Sequence, residues 1–331
     1  MKICLVSTEI TPTPPVGFWG GVESVVWDLA NELDRMGHEV VLVGRPGSVS
    51  PGRLITTFED GEIEDIYAEH FKHYKGLIGD CDVVHDHSHG HKAHKVHPRV
   101  VHTMHWYQHP AAADFVNICA ISETQRRWLN ARMKEYGRNE DVRMVHHGID
   151  AKRFRYREEK DDYYLFFSAI ATYKGALVAY RIAKEIGVKM IFAGKAGDAD
   201  GVIIGDSSPN IIHEGQVSNE RRAELMSGAK ALIFPTGGFG ESDWVEALGA
   251  VQLEALASGT PVISSDNGAC PEIVEEGRTG FICHSYEEMK RVVKEGWADT
   301  IDPRVCRMVT VDGRFSSRRM AMEYLNIYDE V

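Results

Sequence analysis

A chain of 331 residues with 43% hydrophobic and 26% charged residues falls outside the disordered, collagen-like and coiled-coil classes, and at roughly 150 residues per domain it implies two domains. Lys and Arg number 37 against 49 Asp and Glu, a formal net charge of −12. That field argues against a nucleic-acid partner, which needs a strong basic stripe. The six scattered cysteines form no CxxC pair and read as reduced, buried thiols; with no apolar run of the roughly 18 residues that span a bilayer, the expected location is the cytoplasm.

Residues 3–6 are a short apolar strand rather than a signal sequence. A Pro/Gly loop over 11–21 follows. Val22, Val25, Val26, Leu29, Leu33 and Met36 then recur at helical spacing. Gly37 ends that helix and Val40–Val43 is the next strand, giving a βαβ unit and hence a parallel sheet. Short β-like segments sit at 83–84, 100–101 and 118–121, and Ser122 caps a helix reaching about Tyr136. The charged stretch 152–162 reads as a linker. A second series begins with a strand over 163–169 and a helix over 175–186. Next come a strand at 190–193, a Ser218-capped helix over 218–228, a strand at 231–234, a helix near 250–257 and a strand at 262–264. The segment 315–328 closes the chain as a helix. The expected architecture is α/β, two doubly wound Rossmann-like domains facing a cleft, spanning 1–155 and 156–312, with a C-terminal helix over 313–331 packing back on the first.

Two segments invite chemistry. Gly17-Phe18-Trp19-Gly20-Gly21-Val22-Glu23 lies between the first strand and helix, where adjacent glycines let backbone amides approach an anion at a helix N-terminus. Its spacing is not GxGxxG, and a tight turn needing positive φ explains it equally. Glu246 and Glu254 are two carboxylates with seven residues between them, separated by Gly249 where a helix should begin. They suit two hydroxyl-bearing groups at different depths of a cleft; as surface glutamates they would be unremarkable.

The chain resembles glycosyltransferase family 4, retaining enzymes of the two-lobed GT-B fold. The resemblance runs through Gly20-Gly21-Val22-Glu23, Gly37-His38-Glu39-Val40, His85-Asp86-His87, Thr103-Met104-His105, Ser122-Glu123, His147-Gly148-Ile149-Asp150, Lys174-Gly175 and Ala193-Gly194. It is most specific at the Glu246/Glu254 block with Gly259-Thr260-Pro261-Val262. It implies a hexosyltransferase using a nucleoside-diphosphate sugar, UDP by default, and a hydroxyl acceptor: a sugar, a lipid-linked glycan or a small metabolite. Lys174 would meet the donor diphosphate. The amides of Gly249 and Ala250 would hold the distal phosphate, with Gly20 and Gly21 opposite. Glu254 would bind ribose and Glu246 the transferred sugar. Gly215 and Val217 would flank the base. His105 would lie near the reacting sugar, with His85 and His87 on the acceptor side. The implied mechanism is front-face transfer, in which the protein supplies position and charge.

The sequence departs from the family at Ala169, where an arginine usually adds a second cation for the diphosphate. Either Lys195 or Arg181 substitutes, or donor binding is weak, or the chain is a nucleotide-sugar-binding pseudoenzyme. Nine of the sixteen histidines lie between His85 and His109. His87, His89 and His91 alternate, which in a strand would put them on one face and suggest zinc; without HExxH the expectation is no metal and no cofactor. Asp198-Ala199-Asp200 reads as a loop rather than a metal-binding DxD. Between Arg126 and Arg157, ten Lys/Arg face four Asp/Glu. That stretch reads either as a solvated helix or as a face for peripheral contact with the inner side of a membrane.

Overall fold

The computed structural model describes residues 1–15, 20–58, 65–107, 115–139 and 141–331. Gly17, Phe18 and Trp19 of the glycine loop and His109 lie outside the described residues. The chain forms two compact units: Met1–Gly148 joined by Ser317–Val331, and Ile149–Ser316.

The first unit is built on β1 (Lys2–Val6), β2 (Glu39–Gly44), β3 (Arg53–Thr56), β4 (Val83–Asp86), β5 (Val100–Thr103), β6 (Ile118–Ala120) and β7 (Arg143–Met144). These run in the order β3-β2-β1-β4-β5-β6-β7, every pair parallel. Its helices are α1 (Gly21–Arg35), α2 (Ile66–Tyr74) and α3 (Glu123–Glu135). The α1 stripe buries Val25, Val26, Leu29 and Leu33 against Ile3 and Leu5 of β1, each side chain worth about 1.5–3 kcal/mol. The other sheet face buries Cys4, Val6, Val41, Val43, Tyr74, Val84 and Val100. Period-2 alternation of strands buried on both faces thus decides which side every residue of β4 and β5 takes.

The second unit contains β8 (Tyr164–Phe167), β9 (Met190–Ala193), β10 (Ile211–Gly215), β11 (Leu232–Phe234), β12 (Val262–Ser265) and β13 (Gly280–Cys283), all parallel in the order β10-β9-β8-β11-β12-β13. Around it lie α4 (Ala176–Ile186), α5 (Asp200–Ile204), α6 (Asn219–Gly228), α7 (Ala250–Ala257), α8 (Cys270–Ile273), α9 (Tyr286–Lys294) and α10 (Pro303–Val311). The last helix, α11 (Ser317–Glu330), leaves this unit and packs on α1, burying Met320, Ala321, Tyr324, Ile327 and Tyr328 in the first unit's core.

Both units are doubly wound, as the alternation of strand and helix patterns predicts. In each, the strand order reverses once: between β1 and β4 in the first, between β8 and β11 in the second. Ligands of open parallel sheets bind beyond the carboxyl ends of the strands at such a switch point. No described helix is long and apolar enough to cross a membrane, and all six cysteines are free and buried.

Candidate functional site

In the second unit the residues singled out from the sequence gather past the carboxyl ends of the strands. Lys174 ends a 3-10 turn, Thr172–Lys174, after β8. Thr236 opens another, Thr236–Phe239, after β11. The two turns flank the switch point. Lys174 Nζ donates to Glu246 Oε2 at 2.6 Å and sits 4.3 Å from the Trp244 ring centroid. The same carboxylate oxygen accepts from Thr236 Oγ1 at 3.1 Å and from Trp244 Nε1 at 3.2 Å. Asn267, following β12, accepts the Glu246 amide at 2.8 Å. Glu246 is 6% exposed and the Lys174 side chain 15%. A buried pair with this many partners keeps its geometry, because removing either member strands a buried charge.

Gly249 caps α7 at φ +81°, and a Cβ there would lie 2.6 Å from Gln252 Nε2 and 3.0 Å from the Phe234 ring. Only glycine lets the chain turn here and present the Ala250 end of α7 to an anion. Glu254, one turn into α7 and nearly buried, is paired with the Arg222 guanidinium from α6. Gly215 ends β10 beside Gly194, whose amide donates to the Gly215 carbonyl at 2.8 Å, and Val217 follows, half-buried. Asp198 accepts the Thr172 amide at 2.8 Å and Asp200 accepts from His213 Nε2 at 2.8 Å. Asp198 therefore fixes the Lys174 turn, while Asp200 opens α5 and holds His213.

Sequence reasoning missed Thr236, Trp244, Asn267 and Arg222. Thr236 and Trp244 lie in the same β11–α7 connection as Glu246, and Asn267 follows β12; no motif spacing marks them. Arg222 bears on the gap left by Ala169. Its guanidinium lies 5.3 Å from the ring centroid of Phe167, at the end of the same strand β8. Of the two substitutes expected from sequence, Arg181 is taken up by Glu241 and stands 5.3 Å over Tyr286. Lys195 follows β9 alongside, its carbonyl accepting the Ile170 amide at 2.8 Å.

In the first unit the loops after β1 and β4 meet at the other switch point. Glu9 bridges them: Oε2 accepts the His89 amide and Nδ1 at 2.9 and 2.8 Å, and Oε1 accepts the Gly90 amide at 3.1 Å. Gly20 precedes α1 at φ +122°, where a Cβ would fall 2.6 Å from Pro15 and 2.7 Å from Glu23 Oε2. Glu23 accepts from Thr8, and burial raises its carboxyl above the ordinary range. His87 Nδ1 and His105 Nε2 are 3.0 Å apart, and the His147 ring lies 5.2 Å from that of His105. Burial holds His85, His87 and His105 well below the ordinary imidazole value and His147 down to about 3.

Two expectations are corrected here. His85 is fully enclosed, with Nδ1 2.6 Å from the Tyr328 hydroxyl and Nε2 2.7 Å from Thr103 Oγ1. Both nitrogens are engaged, so it underpins His87 from the core instead of facing an acceptor. His87, His89 and His91 do not share one face either. The strand ends at Asp86, and the chain turns through His91 at φ +44°. The basic character of α3 is offset locally: Arg126 and Arg127 pair with Glu123, and Arg132 with Glu135.

Comparison with known proteins bears on the whole arrangement. Residues 19–153 match the family model described as Glycosyltransferase Family 4, and residues 148–304 match Glycosyl transferases group 1. Alpha-maltose-1-phosphate synthase of Mycolicibacterium smegmatis is 33% identical over 119 residues, 33% of this chain; the match spans 29% of that relative's length. Over 99% of the chain and 97% of its own, AviGT4, a glycosyltransferase involved in avilamycin A biosynthesis, superposes with 26% identity and a TM-score of 0.78. Anabaena HepE in complex with UDP and glucose matches over the full length of both chains at 16% identity and a TM-score of 0.70. The two parallel-sheet lobes are those of the GT-B architecture.

Proposed function

We propose, from the premise that the chain belongs to the family 4 type of glycosyltransferases, that it moves a hexose from a UDP-sugar to a hydroxyl acceptor with retention of configuration. The observation that carries this reading is the buried Lys174–Glu246 pair at the β8/β11 switch point, beside the start of α7. A diphosphate has its two needs met there: a positive point charge from Lys174 and amides at a helix start from Gly249 and Ala250. Glu246 keeps its Oε1 for the hydroxyls of the transferred sugar, since the partners above all converge on Oε2. Glu254, steadied by Arg222, takes the ribose hydroxyls, and Gly215 and Val217 flank the base. UDP is favoured because HepE, of the same fold, is complexed with UDP.

As the bond to the leaving phosphate breaks, negative charge grows on the diphosphate. Lys174, still held by Glu246, stabilises that charge with its remaining N–H donors where water is scarce. The acceptor proton passes to a donor phosphate oxygen, and Lys174 with the α7 amides takes the charge-stabilising part, so no metal is expected at the donor site. Arg222 supplies the second cation that Ala169 does not. Six buried, unpaired thiols suit a cytoplasmic setting.

Isothermal calorimetry with UDP-, GDP- and ADP-sugars, with and without EDTA, tests the reading together with NMR of the first-formed sugar product. The expected result is binding of a UDP-sugar unaffected by EDTA, followed by slow release of a sugar with the donor's anomeric configuration. Failure of every nucleotide sugar to bind would overturn it. Binding without turnover would instead favour a pseudoenzyme, for which the absent arginine at 169 is the specific reason.

A further inference from the structure

The histidine-rich segment is divided by strand alternation into two groups that do different things. His85 on β4 and Thr103 on β5 point to the α11 side, where the tyrosine hydroxyls of Tyr324 and Tyr328 meet them. Asp86 and His102, the adjacent residues on the same two strands, take the opposite face. There they are joined by His91 and His94 from the β4–β5 connection: the His102 ring centroid is 5.5 Å from that of His91 and 5.2 Å from that of His94. Phe115 covers the group, 5.4, 5.8 and 5.5 Å from the rings of His91, His94 and His102.

This second group is polar, and its His102 is enclosed and short of partners. His102 is 0% exposed, and neither ring nitrogen finds a hydrogen bond among the described residues. A buried imidazole with both nitrogens unmatched has lost its water without replacement, which a folded protein rarely tolerates. The nearest group, Asp86 Oδ2, is 3.6 Å from His102 Nδ1, beyond a good hydrogen bond. Asp86 is itself firmly oriented: Oδ1 accepts from the Ser88 amide and hydroxyl at 2.9 and 2.6 Å, and Oδ2 accepts from the Ala93 amide at 3.1 Å. One ligand atom each from Asp86, His91 and His102 falls within 4.8 Å of the others.

We propose that Asp86, His91 and His102 form a binding site for one divalent transition-metal ion of the zinc type, with His94 next to its fourth position. Zinc bonds of about 2.0–2.2 Å to imidazole and carboxylate place tetrahedral ligand atoms roughly 3.3 Å apart, so small side-chain rotations close the observed spacing. The donor set of two imidazoles and a carboxylate suits zinc over magnesium or calcium. Ser88 and the Ala93 amide orient the carboxylate, and Phe115 excludes water, as a supporting shell must. The ion ties β5 to the connection that carries His89 and His91, which makes it structural and revises the sequence expectation of no metal. It does not touch the donor site in the second unit, so it stands or falls apart from the proposed transfer reaction.

The test uses the untagged full chain. Zinc content after dialysis is read by plasma mass spectrometry, and zinc affinity by competition with a chromophoric chelator. One equivalent per chain is expected in the wild type and in His284→Gln, whose histidine is exposed in the other unit. In His102→Gln and Asp86→Asn the affinity should drop at least about 10- to 100-fold. Because either variant can fail to fold, the wild type is also loaded with Co2+, which should give the strong visible d–d bands of a four-coordinate site. Less than a tenth of an equivalent of bound zinc, unchanged affinity in folded variants, or only the weak bands of six-coordinate cobalt would each overturn the proposal.

Discussion

The two switch points handle buried polarity in opposite ways. Beyond β8 and β11, formal charges are buried in pairs, Lys174 with Glu246 and Arg222 with Glu254. Beyond β1 and β4, the enclosed groups are mostly imidazoles kept neutral by burial. A charge pair is poised to take an added ligand without giving up its partner: the Lys174 ammonium has three N–H donors, so a diphosphate can join Glu246 on it and leave no carboxylate stranded. A neutral imidazole can accept or donate a proton, or take a metal, without first breaking an ion pair. The same fold thus offers a site prepared for an anion and a site prepared for a proton or a cation, and each can be perturbed without the other.

The sharpest way to break that contrast is to unpair the second unit's charges. Glu246→Ala is expected to lower the rate of donor turnover by about 10²–10³-fold while donor affinity falls only a few-fold. Lys174→Ala should reduce both, because it removes a phosphate contact and strands Glu246. Steady-state kinetics beside calorimetry separates the two, and wild-type turnover by Glu246→Ala would end the site assignment. Next in size, Arg222→Ala should weaken donor binding by about 1.5–3 kcal/mol, the worth of a charge-assisted hydrogen bond. Arg181→Ala, already committed to Glu241, should leave it within error. Equal effects would return the second-cation role to either residue.

Acid sharpens the comparison from the other side. His147 has a native pKa of about 3 against 6.5 unfolded, so below pH 6.5 the unfolded chain binds the extra proton and stability falls as pH falls toward 3. At pH 5 that amounts to about 2 kcal/mol for this one residue, and His85, His87 and His105 act in the same direction. Hydrogen exchange by mass spectrometry at pH 7.5 and pH 5 should show protection lost in residues 1–148 and 317–331 before 149–316. Simultaneous loss would mean that the histidines do not govern the first unit. The smallest effect belongs to Tyr328→Phe, which leaves His85 Nδ1 unmatched in the core. A chemical melt should register about 1–2 kcal/mol.

Much of this was legible in the sequence wherever a period repeats. The α1 stripe, the two strand–helix series and the block from Glu246 to Val262 each announce themselves by local spacing, and the structure places them as read. The partners of Glu246 were not legible, because Thr236 and Asn267 reach it from β11 and β12. β11 pairs with β8 and β12 lies one strand beyond it, a product of strand order and not of spacing. The histidines misled for a related reason. Alternation holds for Asp86 against His85, which lie in β4, and fails at His91, where the chain has left the strand and turned through a left-handed residue. A histidine count says that something is gathered; only the sheet decides on which face.

The chain passes from the first unit into the second and returns at Ser317 to finish the first with α11. During synthesis this reverses the usual order of completion. The first unit emerges early yet lacks the helix that covers Leu29, Leu33 and the His85 hydroxyl partners until about 170 further residues have been added, roughly 10–35 s at ribosomal speeds of about 5–20 residues per second. The second unit, contiguous in the chain, has all of its residues in that interval. The nascent protein therefore waits with a complete second unit and an open hydrophobic seam on its older half.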